Sequence, residues 1–200
     1  MISLLTKAAD EIEVDKKQAL RFMGCKQEII SEDFDELYNE CLELYLASAD
    51  LKAVVRKTDV SFQDGNKIKF DFGTIESESL KKNLRGCKSA YVFAATAGSE
   101  VDRQIKKLSV MSDGKAMILS CIASSGIECW CDFINDEMAR NKVLRPRFSP
   151  GYGDVSLCVQ KDIFDFLDVN RKLGMSLTEA LMMVPVKSVT AIVGIVEENI

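Results

Sequence analysis

The sequence predicts an α+β fold: a single domain in which helices pack on a mainly antiparallel, twisted sheet, preceded by an N-terminal helical segment. Two kinds of apolar periodicity carry this expectation. Residues 34–45 and 115–138 repeat apolar side chains at three-four spacing, as an amphipathic helix does, whereas residues 67–72 alternate apolar and polar side chains, as a half-buried strand does. The third observation is order. Strand-like and helical runs follow one another over 200 residues with no low-complexity linker, so one domain accounts for the whole, with residues 1–50 as the helical segment and 51–200 as the mixed unit.

Taken in order, Val14 to Met23 has the pattern of a short amphipathic helix closed by Gly24, which accepts a left-handed C-cap. Ser31 precedes a second helical run with Phe34, Leu37, Tyr38, Cys41, Leu42 and Tyr45 on one stripe and acidic residues in its first turn, where the helix dipole favours them. Lys52 to Phe62 is rich in β-branched residues, and Asp64-Gly65-Asn66 signals a turn into the alternating strand from Lys67 to Phe72. A short helix is expected from Ser77 to Leu84. Ser89 to Ala95 is a continuous apolar strand, expected to be covered on both faces.

Beyond Gly98, a short charged helix is expected from Glu100 to Leu108, then the long apolar helix from Lys115 to Met138. The small residues Ala123, Ser124, Ser125 and Gly126 would let another backbone or a ligand approach that helix closely. A loop, a helix from Val159 to Leu173 and a strand from Ser188 to Ile195 complete the chain.

Composition limits what the protein can do. The net charge of −5 argues against nucleic acid, whose phosphates need a basic face. No run of about 18 consecutive apolar residues occurs, and the first residues turn acidic at Asp10-Glu11, so neither a membrane span nor a signal peptide is expected and the protein reads as cytoplasmic. The seven cysteines are odd in number and scattered, which suits buried thiols better than disulfides or a metal site. There is no histidine, so imidazole-based acid, base or nucleophile activation is excluded.

Residues 145–154, Arg-Pro-Arg-Phe-Ser-Pro-Gly-Tyr-Gly-Asp, are the densest in special residues. Proline and glycine make a stiff, irregular loop whose backbone can face a ligand. An arginine held there can grip a carboxylate through two parallel hydrogen bonds, and a tyrosine offers a flat face to a ring or sulfonium.

Arg147-Phe148-Ser149-Pro150-Gly151-Tyr152 resembles the Arg-Pro-Ala-Pro-Gly-Tyr signature of the activation domain of cobalamin-dependent methionine synthase. The likeness extends through residues 162–190, with Gly174-Met-Ser-Leu-Thr-Glu-Ala180 and Met183-Val-Pro-Val-Lys-Ser-Val189, and back to the acidic helix at Ile127 to Asp136, about 75 residues in all. The resemblance implies an S-adenosylmethionine site in which Arg147 pairs with the ligand carboxylate, the backbone around Ser149 and Gly151 hydrogen-bonds the ligand, and Tyr152 packs beside it. Glu128 and Asp132, one helical turn apart, would face the sulfonium or ammonium.

The resemblance further implies a reactivation subunit that supports reductive methylation of the cob(II)alamin form of a separate cobalamin-dependent methionine synthase. Cobalamin would be carried by that partner, and flavodoxin or ferredoxin would supply the electron. Because no homocysteine-, folate- or cobalamin-binding module is present, action in trans is implied. Two departures from the long family members are a missing early aspartate and a chain that reaches only Ile200 where a further strand would bring another tyrosine. They leave open a non-catalytic docking module for a corrinoid protein that makes no use of S-adenosylmethionine.

Overall fold

The computed structural model describes residues 2–25, 31–140 and 142–196. Its strands are β1 (Ile2–Lys7), β2 (Leu51–Asp59), β3 (Ser61–Phe62), β4 (Lys67–Phe70), β5 (Gly73–Glu76), β6 (Cys87–Thr96), β7 (Val143–Leu144), β8 (Ser176–Leu177), β9 (Met183–Val184) and β10 (Ser188–Val196). The helices are α1 (Lys16–Phe22), α2 (Glu32–Ser48), α3 (Glu78–Asn83), α4 (Ser99–Met111), α5 (Asp113–Ala139), α6 (Val159–Leu167) and α7 (Val169–Leu173).

The main sheet is antiparallel in the order β1-β2-β6-β10-β7. Strand β6 lies at its centre because its side chains are apolar on both faces: Phe93 and Ala95 point into one core, Val92 and Ala94 into the other. The first core lies under α1, α2, α4 and α5 and is filled by Trp130, Tyr38, Tyr45, Leu119 and Ile122. The second lies under α6, α7 and the small sheet β3-β4-β5, where Ile68, Phe70, Ile75, Ile163 and Phe164 meet Val54 and Ile192.

Side chains cap three of the helices. Asp15 and Ser31 accept hydrogen bonds from the N–H groups of Gln18 and Phe34 at the starts of α1 and α2, and Ser77 does the same for Leu80 at α3. The Asp64-Gly65-Asn66 turn separates β3 from β4, and Ile68 and Phe70 are buried while Lys67 and Lys69 are exposed. By length and composition alone α5 could cross a membrane. In the fold its apolar side is spent on the sheet and on α2.

Three readings need correction. Residues 1–50 are not wholly helical: Ile2–Lys7 is a strand, paired from Ile2↔Arg56 to Lys7↔Leu51. Its weak alternation is that of an edge strand, and what holds it is the outer edge of β2, a partner invisible in local sequence. This also ties the N-terminal segment into the first core, through Leu5, Ile12 and Ala19. The helix expected from Val159 to Leu173 is broken at Asp168, which adopts a left-handed φ of 56° and receives the Nε–H of Arg171 on its carboxylate at 2.6 Å. Aspartate is among the few side-chain-bearing residues that accept this conformation. Phe72, expected at the end of a strand, lies in the turn before β5 and stacks on Phe70 at 5.0 Å.

Gly126 is the small residue that matters in α5. A Cβ there would overlap the Tyr45 hydroxyl and stand 2.9 Å from the ring carbon Cε1, so α2 rather than a ligand uses the space. We expect Gly126→Ala to cost about 1–3 kcal/mol through overpacking, read as a lower urea midpoint at unchanged slope. The Tyr45 hydroxyl is buried with no hydrogen-bond partner among the described residues. Tyr45→Phe is therefore expected to leave stability unchanged and to recover part of the Gly126→Ala loss.

Candidate functional site

The loop at residues 145–155 starts as a continuation of the sheet. The Arg145 N–H donates to the Gly194 carbonyl at 2.8 Å, and Phe148 and Ile192 exchange hydrogen bonds at 2.9 and 2.8 Å. Side chains alternate along such an extended segment. Phe148 therefore enters the second core, and Arg147 turns to the opposite face, towards α5.

There the guanidinium meets both acids singled out from the sequence. One terminal nitrogen donates to Glu128 Oε2 and the other to Asp132 Oδ1, each at 2.7 Å. The arginine side chain is 21% exposed and the acids are 36% and 66% exposed, so the trio sits at the rim of the core with a solvent-facing side. Glu128 and Asp132 are four residues apart and lie one above the other on α5. The cluster carries one positive and two negative charges, an excess of one negative charge. Two of the five N–H donors of Arg147 are used in these bonds.

After Phe148 the chain turns. The Tyr152 N–H donates to the Ser149 carbonyl at 3.1 Å, and the Gly151 N–H donates to the Val155 carbonyl at 2.9 Å. Gly151 and Gly153 both take positive φ, 83° and 58°. A Cβ at Gly153 would press on Ser79 at 3.2 Å, so glycine is required there for close approach as well as for conformation. The Tyr152 ring is exposed and meets Phe148 edge-on, with centroids 5.3 Å apart. Tyr152 thus offers an open aromatic face. Arg147, Glu128 and Asp132 are brought together, while Ser149, Gly151 and Tyr152 line the adjoining turn, where the Gly151 N–H is already engaged within the loop.

The far end of the turn is anchored by a residue not singled out from the sequence. Asp154 receives the Ser77 hydroxyl at 2.5 Å and the backbone N–H groups of Glu78 and Ser79 at 2.7 and 3.2 Å. These bonds, that of Ser77 first, hold its carboxyl down at about 2. The signal was the placement of an aspartate directly after Gly-Tyr-Gly; its target, the start of α3, lies some 75 residues earlier in sequence. Two further ties fix the loop's beginning: Arg145 donates to the Arg85 carbonyl at 2.8 Å, and the Asn83 amide to the Pro146 carbonyl at 3.2 Å.

The seven cysteines are all free thiols. Cys131, directly beneath the cluster in α5, is buried, and burial pushes its thiol well above the ordinary range.

A curled antiparallel sheet with helices on both faces, and a stiff loop that delivers an arginine to an acidic helix, define the class of domain. The crystal structure of the MetH reactivation domain bound to AdoHcy has this fold: it matches with a TM-score of 0.70 over 97% of this chain and 78% of that one, at 15% sequence identity. Residues 126–199 match the family model of the vitamin B12 dependent methionine synthase activation domain, which bears out the resemblance drawn from the C-terminal 75 residues. No curated protein sequence matches the chain.

A depressed carboxyl supports the fold above its ordinary titration range, near pH 4, and that support disappears as pH falls through the folded value near 2. Asp154→Asn should therefore lower the Tm at pH 5 to 7, and the difference from the unsubstituted protein should close between pH 4 and pH 2. Thermal unfolding across that range checks it.

Proposed function

We propose that this protein binds S-adenosylmethionine at the loop of residues 147–152 and serves as a reactivation subunit for a cobalamin-dependent methionine synthase carried on a separate chain. One observation carries the reading: the matched segment, residues 126–199, encloses Glu128, Asp132 and the whole loop from Arg147 to Tyr152. The similar fold that holds AdoHcy supports it.

The electrostatics fit the ligand. S-adenosylmethionine carries a carboxylate, an ammonium and a sulfonium, one net positive charge, and the cluster has one net negative charge. Asp132, the more exposed acid, faces the cationic end, and the N–H donors of Arg147 not used by the acids serve the ligand's oxygen acceptors. Tyr152 supplies a face for the sulfonium or the purine.

Cobalamin held by the partner would supply the acceptor: with one electron from a flavodoxin- or ferredoxin-type donor it would take up the sulfonium methyl group, and S-adenosylhomocysteine would be released. This chain's part is to hold and orient the donor. No protein acid or base is called for, consistent with a chain that has no histidine. The setting is cytoplasmic, where the electron donor is found, and the first fifty residues form an extension of the activation-like unit of residues 51–200.

A second reading, a docking module for a corrinoid protein that does not use S-adenosylmethionine, draws on the fact that Arg147 already has two carboxylate partners within the chain. Calorimetry separates the readings. S-adenosylmethionine and AdoHcy should both bind, and Arg147→Ala should weaken both at least tenfold. Asp132→Asn should weaken S-adenosylmethionine more than AdoHcy, because only the former carries the sulfonium charge. Absence of binding in the presence of the corrinoid partner would leave the docking module.

A further inference from the structure

Helix α3 and the hairpin of β3 and β4 frame an open cavity of about 540 Å³, lined by the side chains of Phe62, Asn66, Glu78, Lys81, Lys82 and Arg85. That volume falls in the range of small-molecule sites, roughly 300–1,000 Å³. None of these residues belongs to the loop at 147–152 or to the charged cluster on α5. Three cations share the cavity with one carboxylate, an excess of two positive charges in a chain whose net charge is −5. Among the described residues, none of Lys81, Lys82, Arg85 and Glu78 has an ion-pair partner.

The walls of this cavity are fixed. The Lys81 ammonium donates to the Gly65 carbonyl and the Ser77 N–H to the Asn66 carbonyl, the latter at 2.9 Å, so α3 is tied to the turn before β4. Asp154, the Asn83 bond to Pro146 and the Arg145 bond to the Arg85 carbonyl hold α3 in addition. The helix dipole accounts for two lysines in the last turn of α3. It does not account for the phenyl ring that shares the cavity with them. Phe62 pairs with Ile68 across the hairpin, so its ring leaves the small sheet on the same side as the buried Ile68. Lying on an edge strand, outside the second core, the ring stays 40% exposed.

We propose that this cavity binds a nucleoside 5′-monophosphate, at a site separate from the S-adenosyl loop. The phosphate, close to a dianion at neutral pH, matches the excess of two positive charges. Arg85 offers it two parallel N–H donors, while Lys82 and the remaining N–H groups of Lys81 act as compact charges. The base stacks on Phe62. The Glu78 carboxylate accepts from the ribose hydroxyls, and the Asn66 amide meets the edge of the base with a donor and an acceptor. Phosphate alone leaves the ring bare, and a nucleoside alone leaves the cations uncompensated, so the site selects a molecule that carries both.

Calorimetry with guanosine 5′-monophosphate, guanosine and inorganic phosphate tests the site, at physiological ionic strength so that unspecific charge attraction is screened. The unsubstituted protein is expected to bind the nucleotide at least tenfold more tightly than either part alone. Arg85→Gln and Phe62→Ala, both at exposed side chains, should each weaken the nucleotide at least fivefold while the urea midpoint stays unchanged. No nucleotide binding at millimolar concentration, equal affinity for the nucleotide and for phosphate or guanosine, or unchanged nucleotide binding in Arg85→Gln overturns the site. An excess of AdoHcy is expected to leave the nucleotide affinity as it was. Competition between the two places the nucleotide at the loop of residues 147–152 and likewise overturns the site.

Discussion

The pair of backbone hydrogen bonds between Phe148 and Ile192 is the constraint from which the site follows. By pairing the chain with β10 again four residues past β7, it sends consecutive side chains to opposite faces. Phe148 is drawn into the apolar core beneath α6, a burial on the order of 2–3 kcal/mol for a side chain of this size. That burial fixes Arg147 on the other face, against α5. A slip of one residue in this pairing would bury the guanidinium and expose the phenyl ring, which burial costs forbid. The arginine's position is thus set by its apolar neighbour.

From that point the charges organise themselves along one helix. Glu128 and Asp132 gather round Arg147, and the partly exposed rim lets these pairs persist without the desolvation cost of a fully buried salt bridge. A turn held at Asp154 and closed by the Gly151-to-Val155 hydrogen bond keeps Tyr152 at the mouth. The result is a polar seam on a rigid helix, with an aromatic face beside it. Such a surface suits the charged small molecule of the proposed function, whose chemistry asks this chain for no proton transfer.

Much of this was legible in the sequence because the signals were local. The apolar run of β6, the alternation at Ile68 and Phe70, the helices that follow Ser31 and Ser77 and the length of α5 each depend on neighbours within a few residues. The loop stood out through its prolines and glycines, and Glu128 and Asp132 through the resemblance of their helix to the family's acidic helix. What escaped depends on distant partners. β1 exists because β2 has an open edge, the break at Asp168 is stabilised by a left-handed backbone and a nearby arginine, and Asp154 finds its partners at the start of α3. The engagement of Arg147 by the two acids was equally hidden, since arginine and acids were each identified separately as ligand contacts.

A crystal structure of the protein soaked with AdoHcy tests the central claim most directly. Density for the nucleoside between α5 and the turn at residues 147–152, with Glu128 and Asp132 towards the homocysteine nitrogen, is the result this account predicts. A turn closed by its own side chains, with Arg147 still held by both acids and the nucleoside absent or bound elsewhere, would contradict it.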